Sequence, residues 1–431
     1  MRVANCGALA GIALLLQPTV AVAQGCHDPS APPHEYVQSR PLTLEQAVAR
    51  AGNAAPEVLA AALEARAMAA EADQARRWIN PVASIETENF AGTGTLDGFN
   101  AFETTLALEQ TFQLGNKRRL SERVARARSA LAVADCEVQR LEAQKLAGEL
   151  FLELQAAIDM AEIADASANL AEEFAGVVAR RVETGDAAPP EQARAMAEAA
   201  VLRATADSTR GQASARALAL ASVWGSPAVD FIPPAPNRPE RLFGVSGSGT
   251  TLSTHPTLQA AEASQTASAA ATERAVAGAW PDLTVSAGVR RFEDTGDTAL
   301  VASIRLPLPL FDRSQDTARA ARLRRQQAEL NTQAIEARLR AKQASLIEQA
   351  RAARSRLLRL DEQALPLAED AYASAAEGYR AGKFNLTATL DARRSLIETR
   401  AAVIEARLTL ETLLLRLRAL TGATPFSGDA P

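Results

Sequence analysis

The sequence predicts a mainly α-helical fold with a small β part. Two segments, 81–112 and 281–309, alternate apolar and polar residues with a period of two, which is typical of β-strands. They lie between much longer stretches whose apolar residues recur at helical spacing. The order helix, alternating segment, long helix, turn, helix occurs twice, which indicates an internal tandem repeat.

Length, charge and residue usage exclude several classes of protein. The chain has 431 residues and a net charge of −5, and its pI is near 5.6, so it lacks the basic surface that nucleic-acid binding needs. The cysteines and histidines are too scattered to indicate a disulfide framework or a zinc site. We therefore expect no nucleic-acid partner, no cofactor and no bound metal.

Residues 1–23 have the three parts of a secretory signal peptide: Arg2, an apolar run over 7–16 and small residues at 21–23. Cleavage before Gln24 would leave residues 24–41 as an N-terminal extension of an exported protein. Cys26 would be a lipidation site only after a lipobox. The preceding residues fit that motif poorly, because a leucine-like residue is expected three positions before the cysteine. Lipidation is therefore not favoured.

The first repeat spans residues 42–225. Thr43 and Gln46 have the spacing of a capping box at the start of a helix. A second helix then runs to the proline that opens the hairpin 81–112. From Lys117 to Glu183 there is no proline, and apolar residues step by 4 and 3 as in a coiled coil. Such a helix is on the order of 100 Å long. Gly185 then reverses the chain into a helix that ends near residue 225.

The second repeat spans residues 252–422, after a linker at 226–251 and before a tail at 423–431. It matches the first repeat at an offset of 200 before the hairpin and 197 after it, so Pro81 returns as Pro281 and Gly185 as Gly382. Pro366 should bend the second long helix. Glutamate–arginine neighbours such as Glu336 and Arg340 are expected to be surface ion pairs, and Glu149 and Glu153 share one helix face.

The alternating segments suit a barrel wall with lipid on one side and water on the other. No later stretch reaches the length of a spanning helix, so only a closed barrel would carry the chain through a membrane. The windows 78–112 and 280–311 hold 67 residues but eight of the fifteen Phe and Trp, mostly near strand ends, where a barrel meets the membrane surface. The alternative is a hairpin in a soluble sandwich.

The whole arrangement resembles the TolC family of outer-membrane factors. The most specific local matches are Gly378-Tyr379-Arg380-Ala381-Gly382-Lys383, similar to the family's Y-x-x-G turn, and Leu390-Asp391-Ala392-Arg393-Arg394-Ser395-Leu396, similar to its L-D-A-x-x-x-L helix start. Residues 306–313 and 113–118 are similar to the heavy-metal efflux branch of the family, typified by CzcC.

The resemblance implies a homotrimer in which four strands per protomer close a twelve-stranded β-barrel in outer-membrane lipid. The helices would form an antiparallel coiled-coil barrel, a tunnel in the periplasm. Heavy-metal cations would arrive from an inner-membrane pump of the RND type through a periplasmic adaptor. The alternatives left open are a multidrug or small-molecule export channel of the same family, and a periplasmic coiled-coil scaffold. We find no residues spaced for catalysis and expect no enzyme.

The resemblance also assigns candidate functional residues at the helical turns. Asp391 matches one of two aspartates that constrict the tunnel of many family members, while Ala388 occupies the position of the other. Asp391 is therefore a candidate periplasmic gate, although an acid at a helix start also suits the helix dipole. Arg181, Gly185, Arg380 and Gly382 are candidate contacts to the adaptor, although both arginines could simply complement the preceding helix dipole.

Overall fold

The computed structural model describes residues 26, 40–99, 101–236 and 252–420. The expected signal peptide and C-terminal tail lie outside these residues. The first repeat contains helices α1 (Leu44–Ala54), α2 (Pro56–Ala75), α3 (Lys117–Glu183) and α4 (Pro189–Ser222), with strands β1 (Val82–Glu88) and β2 (Glu103–Gln113). The second contains α5 (Pro256–Val276), α6 (Gln315–Arg359), α7 (Leu365–Arg380) and α8 (Leu386–Ala419), with β3 (Asp282–Phe292) and β4 (Thr298–Arg305).

The start of α1 is set by local chemistry. Thr43 Oγ1 accepts a hydrogen bond from the backbone N–H of Gln46 at 3.3 Å, and Gln46 Oε1 accepts one from the N–H of Thr43 at 3.1 Å. Two N–H groups that a helix start leaves unpaired are thereby satisfied. The capping box predicted from the sequence is confirmed.

Helix α3 is the longest element, with 67 residues, and its bounds are those expected from the sequence. Its first part lies beside α2 and α5, where Cys136 packs on Ala62 and Arg123 pairs with Glu273. Its last part lies beside α4, where Phe174 and neighbouring small residues form a shared core. Because alanine supplies many of the buried positions, the helices pack closely along this length.

The second long helix is interrupted before Pro366. Helix α6 ends at Arg359, residues Leu360–Ala364 form one π-helical turn, and α7 continues from Leu365. Proline has no backbone N–H and its ring crowds the preceding turn, and a π-helical turn widens the backbone locally. The helix is therefore interrupted next to Pro366 by a π-helical turn, and the bend at Pro366 stays a prediction.

The four strands form one antiparallel sheet in the order β1-β2-β3-β4. The central pair, β2 and β3, comes from the two different repeats, with Leu106 opposite Val289. β1 and β4 are the two edges. Each hairpin enters from a shorter helix, α2 or α5, and continues into a long one, α3 or α6, so the sheet lies at one end of these helices.

The cysteines correct one expectation, because Cys26 and Cys136 form a disulfide. Their separation of 110 residues had argued against a pair, but sequence distance does not limit which residues a fold brings together. The sulfur of Cys26, considered above for lipidation, is bonded to Cys136 of α3 in this structure.

The start of the predicted linker packs against the first repeat: Asp230 pairs with Arg50 of α1, and Ile232 O accepts a hydrogen bond from Leu42 N at 2.9 Å.

Candidate functional site

The two helical turns have the same backbone geometry. Gly185 has a φ of +82° and Gly382 a φ of +70°, a region that favours glycine. Asp186 N donates to Arg181 O at 2.8 Å, and Lys383 N donates to Gly378 O at 2.7 Å. Each turn is thus a Schellman motif that satisfies the last carbonyls of α3 and α7. The predicted reversal of the chain at Gly185, and its repetition at Gly382, are confirmed.

Arg181 joins the two turns to each other. Its Nη1 donates to the backbone carbonyl of Tyr379 at 2.6 Å and its Nη2 to that of Asp186 at 3.2 Å. Its guanidinium also lies 4.8 Å from the centre of the Tyr379 ring, an arrangement typical of a cation–π contact. Two of the five N–H donors of Arg181 are thus used inside the chain, and its role as an adaptor contact stays a prediction.

Tyr379 is the centre of the packed region beneath the turns. It is only 2% exposed, and its ring lies 5.2 Å from that of Phe174 on α3. Its hydroxyl donates to Glu191 Oε2 on α4 at 3.3 Å. Burial, followed by the nearby Glu191 carboxylate, raises the pKa of Tyr379. A neutral tyrosine therefore connects α3, α4 and α7 at this end of the bundle.

The start of α8 is held by two buried polar residues. Thr389 Oγ1 donates to Ala375 O of α7 at 3.2 Å. Arg393 lies 6.0 Å from the Phe174 ring and pairs with Glu198 of α4. These contacts fix the orientation of the first turns of α8 relative to α3, α4 and α7. Asp391 lies between Thr389 and Arg393 in the sequence.

Asp391 and Arg380 are both exposed. Asp391 lies in the second turn of α8, whose N-cap Asn385 accepts from Ala388 N at 2.9 Å. Within the described ranges, the side chain of Arg380 makes no hydrogen bond or ion pair, and the residue is exposed to solvent. The matching position to Asp391 in the first repeat, at the offset of 197, is Arg194, which donates to Thr387 Oγ1 at 3.2 Å. The roles of Asp391 and Arg380 stay predictions.

The four strands present two different faces. One row crosses the whole sheet through apolar side chains: Ile85, Leu106, Val289 and Leu300. All four are exposed, with Leu300 88% exposed. On the opposite face, Arg290 binds Thr105, Glu103 and Glu88, each at 2.9 Å. An apolar exposed face opposite a hydrogen-bonded polar face is what a wall between lipid and water requires.

Several acidic residues that could suggest chemistry have structural partners. Glu149 accepts from Arg416 Nε at 2.7 Å and Glu153 from Arg216 Nη1 at 2.6 Å, so this pair links α3 to α8 and α4. Glu336 and Arg340 form the expected surface pair. Across residues 40–99, 101–236 and 252–420, together with Cys26, no group of three or more His, Cys, Asp or Glu could hold a metal ion.

Sequence reasoning missed Tyr379, Glu191, Glu198 and Arg393 as functional candidates. Tyr379 and Arg393 occur in the two family-like motifs, but their partners Glu191 and Glu198 lie in the other repeat. The repeat offset could have indicated that these residues lie close together, since it aligns the turn at Gly185 with the turn at Gly382.

None of the helices that the structure describes combines the length and the hydropathy of a membrane-spanning helix.

Comparisons with known proteins agree on one family. The outer membrane efflux protein family matches residues 248–423. The cobalt-zinc-cadmium resistance protein CzcC of Cupriavidus metallidurans is 29% identical over 403 residues, covering 89% of this chain and 91% of that protein. The nickel and cobalt resistance protein CnrC of the same organism is 30% identical over 313 residues, covering 72% of each. The solved outer-membrane channel OprN superposes with a TM-score of 0.76 at 19% identity, covering 90% of this chain and 94% of that one.

Proposed function

The chain belongs to the outer membrane efflux protein family, and we propose that it is the outer-membrane channel of a tripartite system that expels heavy-metal cations. It would conduct them passively from a periplasmic adaptor and an inner-membrane pump to the exterior. The metal class is supported by the relatives, two of which are named for resistance to cobalt and to zinc, cadmium or nickel.

The observation that carries the membrane part of the proposal is the two-faced sheet. Ile85, Leu106, Val289 and Leu300 cover one face with exposed apolar groups across all four strands, while polar groups on the other face bind one another. Both outer strands, β1 and β4, lack a partner on one side within the described sheet. Three copies would pair β4 of one with β1 of the next and close twelve strands around a polar lumen.

The turn end of the helices is proposed as the periplasmic end. Gly185 and Gly382 shape the two turns, and Arg380 would contact the adaptor. Arg181 holds the two turns as a unit, so the adaptor would meet both together. Asp391 would line the narrow end of the tunnel, and three copies near one axis would repel one another as the tunnel closes.

The proposal is tested by export and by membrane placement. Deletion of the gene should raise sensitivity to at least one of cobalt, zinc, cadmium and nickel, and the intact gene should restore tolerance. Unchanged tolerance to every metal, with new sensitivity to dyes or antibiotics, would favour multidrug export instead. A protein found only in the soluble periplasm would favour the scaffold and contradict the channel.

A matched pair of variants tests the orientation of the sheet. Leu300→Arg places a charge on the apolar face, which costs roughly 2–4 kcal/mol at the middle of a bilayer. Ala299→Arg places the same charge one residue earlier, on the polar face. We expect Leu300→Arg to lower the amount of trimer in outer-membrane fractions and Ala299→Arg to leave it near the wild-type amount. Equal losses would contradict the assigned faces.

A further inference from the structure

The base of the apolar sheet face carries an aromatic cluster next to the helices. Trp78, between α2 and β1, is 61% exposed and contacts Phe112 with ring centres 6.2 Å apart. Phe112 lies on the same face of β2 as Leu106 and Leu108. Indole rings combine an apolar body with one polar N–H group, and they concentrate where a membrane meets water. Trp78 thus marks the level at which the apolar face ends.

A group of arginines lies at this level. Arg118, in the first turn of α3, has its guanidinium 4.6 Å from the centre of the Trp78 ring. Its Nη1 donates to the backbone carbonyl of Arg76 at 2.7 Å, which brings the start of α3 against the end of α2. Arg77 and Arg119 are their chain neighbours and are exposed. In the part of the chain that the structure describes, neither makes a side-chain hydrogen bond or ion pair.

In the second repeat, no arginine lies among the four residues before the equivalent tryptophan. Trp280 is equally exposed, at 61%, but it packs against Gly115, where an added Cβ would lie 2.5 Å from the indole. The residues before it are Val276, Ala277, Gly278 and Ala279. A tryptophan at this level therefore does not require a stacked cation. The arginines around Trp78 need an explanation of their own.

We propose that Arg77, Arg118 and Arg119 bind the phosphate groups of anionic phospholipids in the membrane leaflet nearest the helices. This inference rests on the proposed membrane position of the sheet. A guanidinium offers paired N–H donors that match phosphate oxygens, and Arg118 has one donor occupied by Arg76. Stacking on Trp78 holds the Arg118 guanidinium in place, so the Arg118 side chain loses less conformational freedom when it binds a lipid phosphate.

Charge complementarity favours an anionic lipid over a zwitterionic one. Arg76 pairs with Asp73 at 3.8 Å, whereas none of the three proposed arginines forms an ion pair among the described residues. A zwitterionic headgroup would bring its own cation into this basic group, while a phosphatidylglycerol headgroup brings only the phosphate charge. Each basic residue near an anionic membrane surface strengthens binding by roughly fivefold.

The test uses the full-length trimer reconstituted in vesicles. One set contains phosphatidylcholine alone and the other contains phosphatidylcholine with phosphatidylglycerol. Phosphatidylglycerol retained per trimer after detergent extraction is measured by native mass spectrometry. Arg77→Gln, Arg118→Gln and Arg119→Gln are compared singly and together. Arg354→Gln is the matched control, since Arg354 is an exposed arginine of α6.

The wild-type protein and Arg354→Gln should retain phosphatidylglycerol in preference to phosphatidylcholine. Each of the three variants should lower that retention by roughly fivefold, and the triple variant more strongly. Arg118→Lys should lose retention too, because lysine keeps the charge but not the planar stack on Trp78. If the triple variant gives poor trimer, the single variants still decide the question.

Two results would overturn the inference while leaving the channel intact. One is a wild-type protein that inserts and conducts but shows no preference for phosphatidylglycerol. The other is inorganic phosphate displacing the lipid at millimolar concentration, which would indicate a site for free anions. A wild-type trimer that neither inserts nor conducts in any vesicle would overturn both the inference and the proposed function.

Discussion

Arg393 of α8 and Glu198 of α4 form an ion pair inside the protein, with Arg393 Nη2 2.5 Å from Glu198 Oε1. Arg393 is only 3% exposed. The pair connects the last helix of the second repeat to the last helix of the first. It therefore fixes the two pairs of helices relative to each other near the turns.

Removing this pair should destabilise the turn end. Arg393→Ala leaves Glu198 without its partner and should lower the free energy of unfolding by about 3 kcal/mol. The control is Arg394→Ala, because Arg394 is the adjacent residue and is exposed, so its loss should cost less than about 0.5 kcal/mol. Guanidinium denaturation followed by circular dichroism measures both. Similar midpoints for the two variants would contradict a stabilising role for the pair.

The two turn glycines should be needed for their backbone conformation. An alanine in the left-handed region costs about 1–2 kcal/mol, so Gly185→Ala and Gly382→Ala should each lower stability by that amount. A Cβ at Gly185 would have no atom within 4 Å, so crowding cannot explain a loss there. Gly211, inside α4, also has open space but no positive φ. Gly211→Ala should raise stability by roughly 0.5–1 kcal/mol, and a loss there would contradict this explanation.

The disulfide should make stability sensitive to reductant. Cys26 and Cys136 close a loop of 110 residues, which in the chain-entropy account stabilises a fold by about 4–5 kcal/mol. Dithiothreitol should therefore lower the melting temperature of the wild-type protein. It should have no effect on the double variant Cys26→Ser, Cys136→Ser. Two free thiols in the unreduced, denatured protein, detected by alkylation and mass spectrometry, would show that the bond is absent.

His255 should make the start of α5 sensitive to acid. Its Nδ1 accepts a hydrogen bond from the backbone N–H of Thr257 at 3.2 Å, which requires a neutral ring. Burial, followed by Lys342, lowers the pKa of His255 below its usual value. The unfolded chain then binds the proton more readily, so stability is complete above about pH 6.5 and falls as the pH drops below it.

His255→Asn checks this pH dependence. Asparagine is also a good N-cap but does not titrate, so the variant should lose less stability than the wild-type protein between about pH 6.5 and 5. Chemical denaturation at several pH values measures the difference. Parallel pH profiles for the two proteins would mean that His255 does not contribute.

Asp391 and Arg380 carry the functional predictions. Asp391→Ala should raise single-channel conductance in a planar bilayer, because it removes charge and bulk from the narrowed tunnel, and Asp391→Asn should ease closing. Glu398→Ala, at an exposed acid farther along α8, is the control. Unchanged conductance in Asp391→Ala would remove this residue from the gate.

Arg380→Lys should lower metal tolerance without lowering trimer yield, since lysine lacks the forked donors that an adaptor carboxylate or carbonyl would use. The comparison is Lys383→Arg, at the neighbouring turn position. Normal tolerance in Arg380→Lys would leave Arg380 as a residue that only complements the helix dipole.

Local rules predicted most of the backbone. Thr43 and Gln46 interact across three residues, and Gly185 and Gly382 adopt a positive φ that glycine favours. The neighbouring sequence was therefore enough to predict the helix start and the two turns. The long α3 followed from an uninterrupted apolar repeat. The contacts of the turn end did not follow, because Arg181 meets Tyr379 across 198 residues. The residue pattern around Arg181 carries no information about Tyr379, and the pattern around Tyr379 carries none about Arg181.

The same limit explains the disulfide and the buried ion pair. Cys26 lies against Cys136 of α3, and Arg393 of α8 lies against Glu198 of α4, although each pair is far apart in the sequence. Arg393 also lies beside Arg394, which is exposed, and the two look alike in the sequence. Only helix packing decides which arginine is buried.

The unpaired edges of β1 and β4 bear on how the protein reaches its final state. Backbone groups along an open edge have no water to bind within hydrocarbon, and each costs several kcal/mol there. On the proposed topology, a lone subunit therefore cannot enter the bilayer stably with its sheet open. Entry and closure with sister subunits must be one event, so its rate should rise more steeply than in proportion to subunit concentration. A shortage of newly exported chains would then stall biogenesis abruptly rather than gradually.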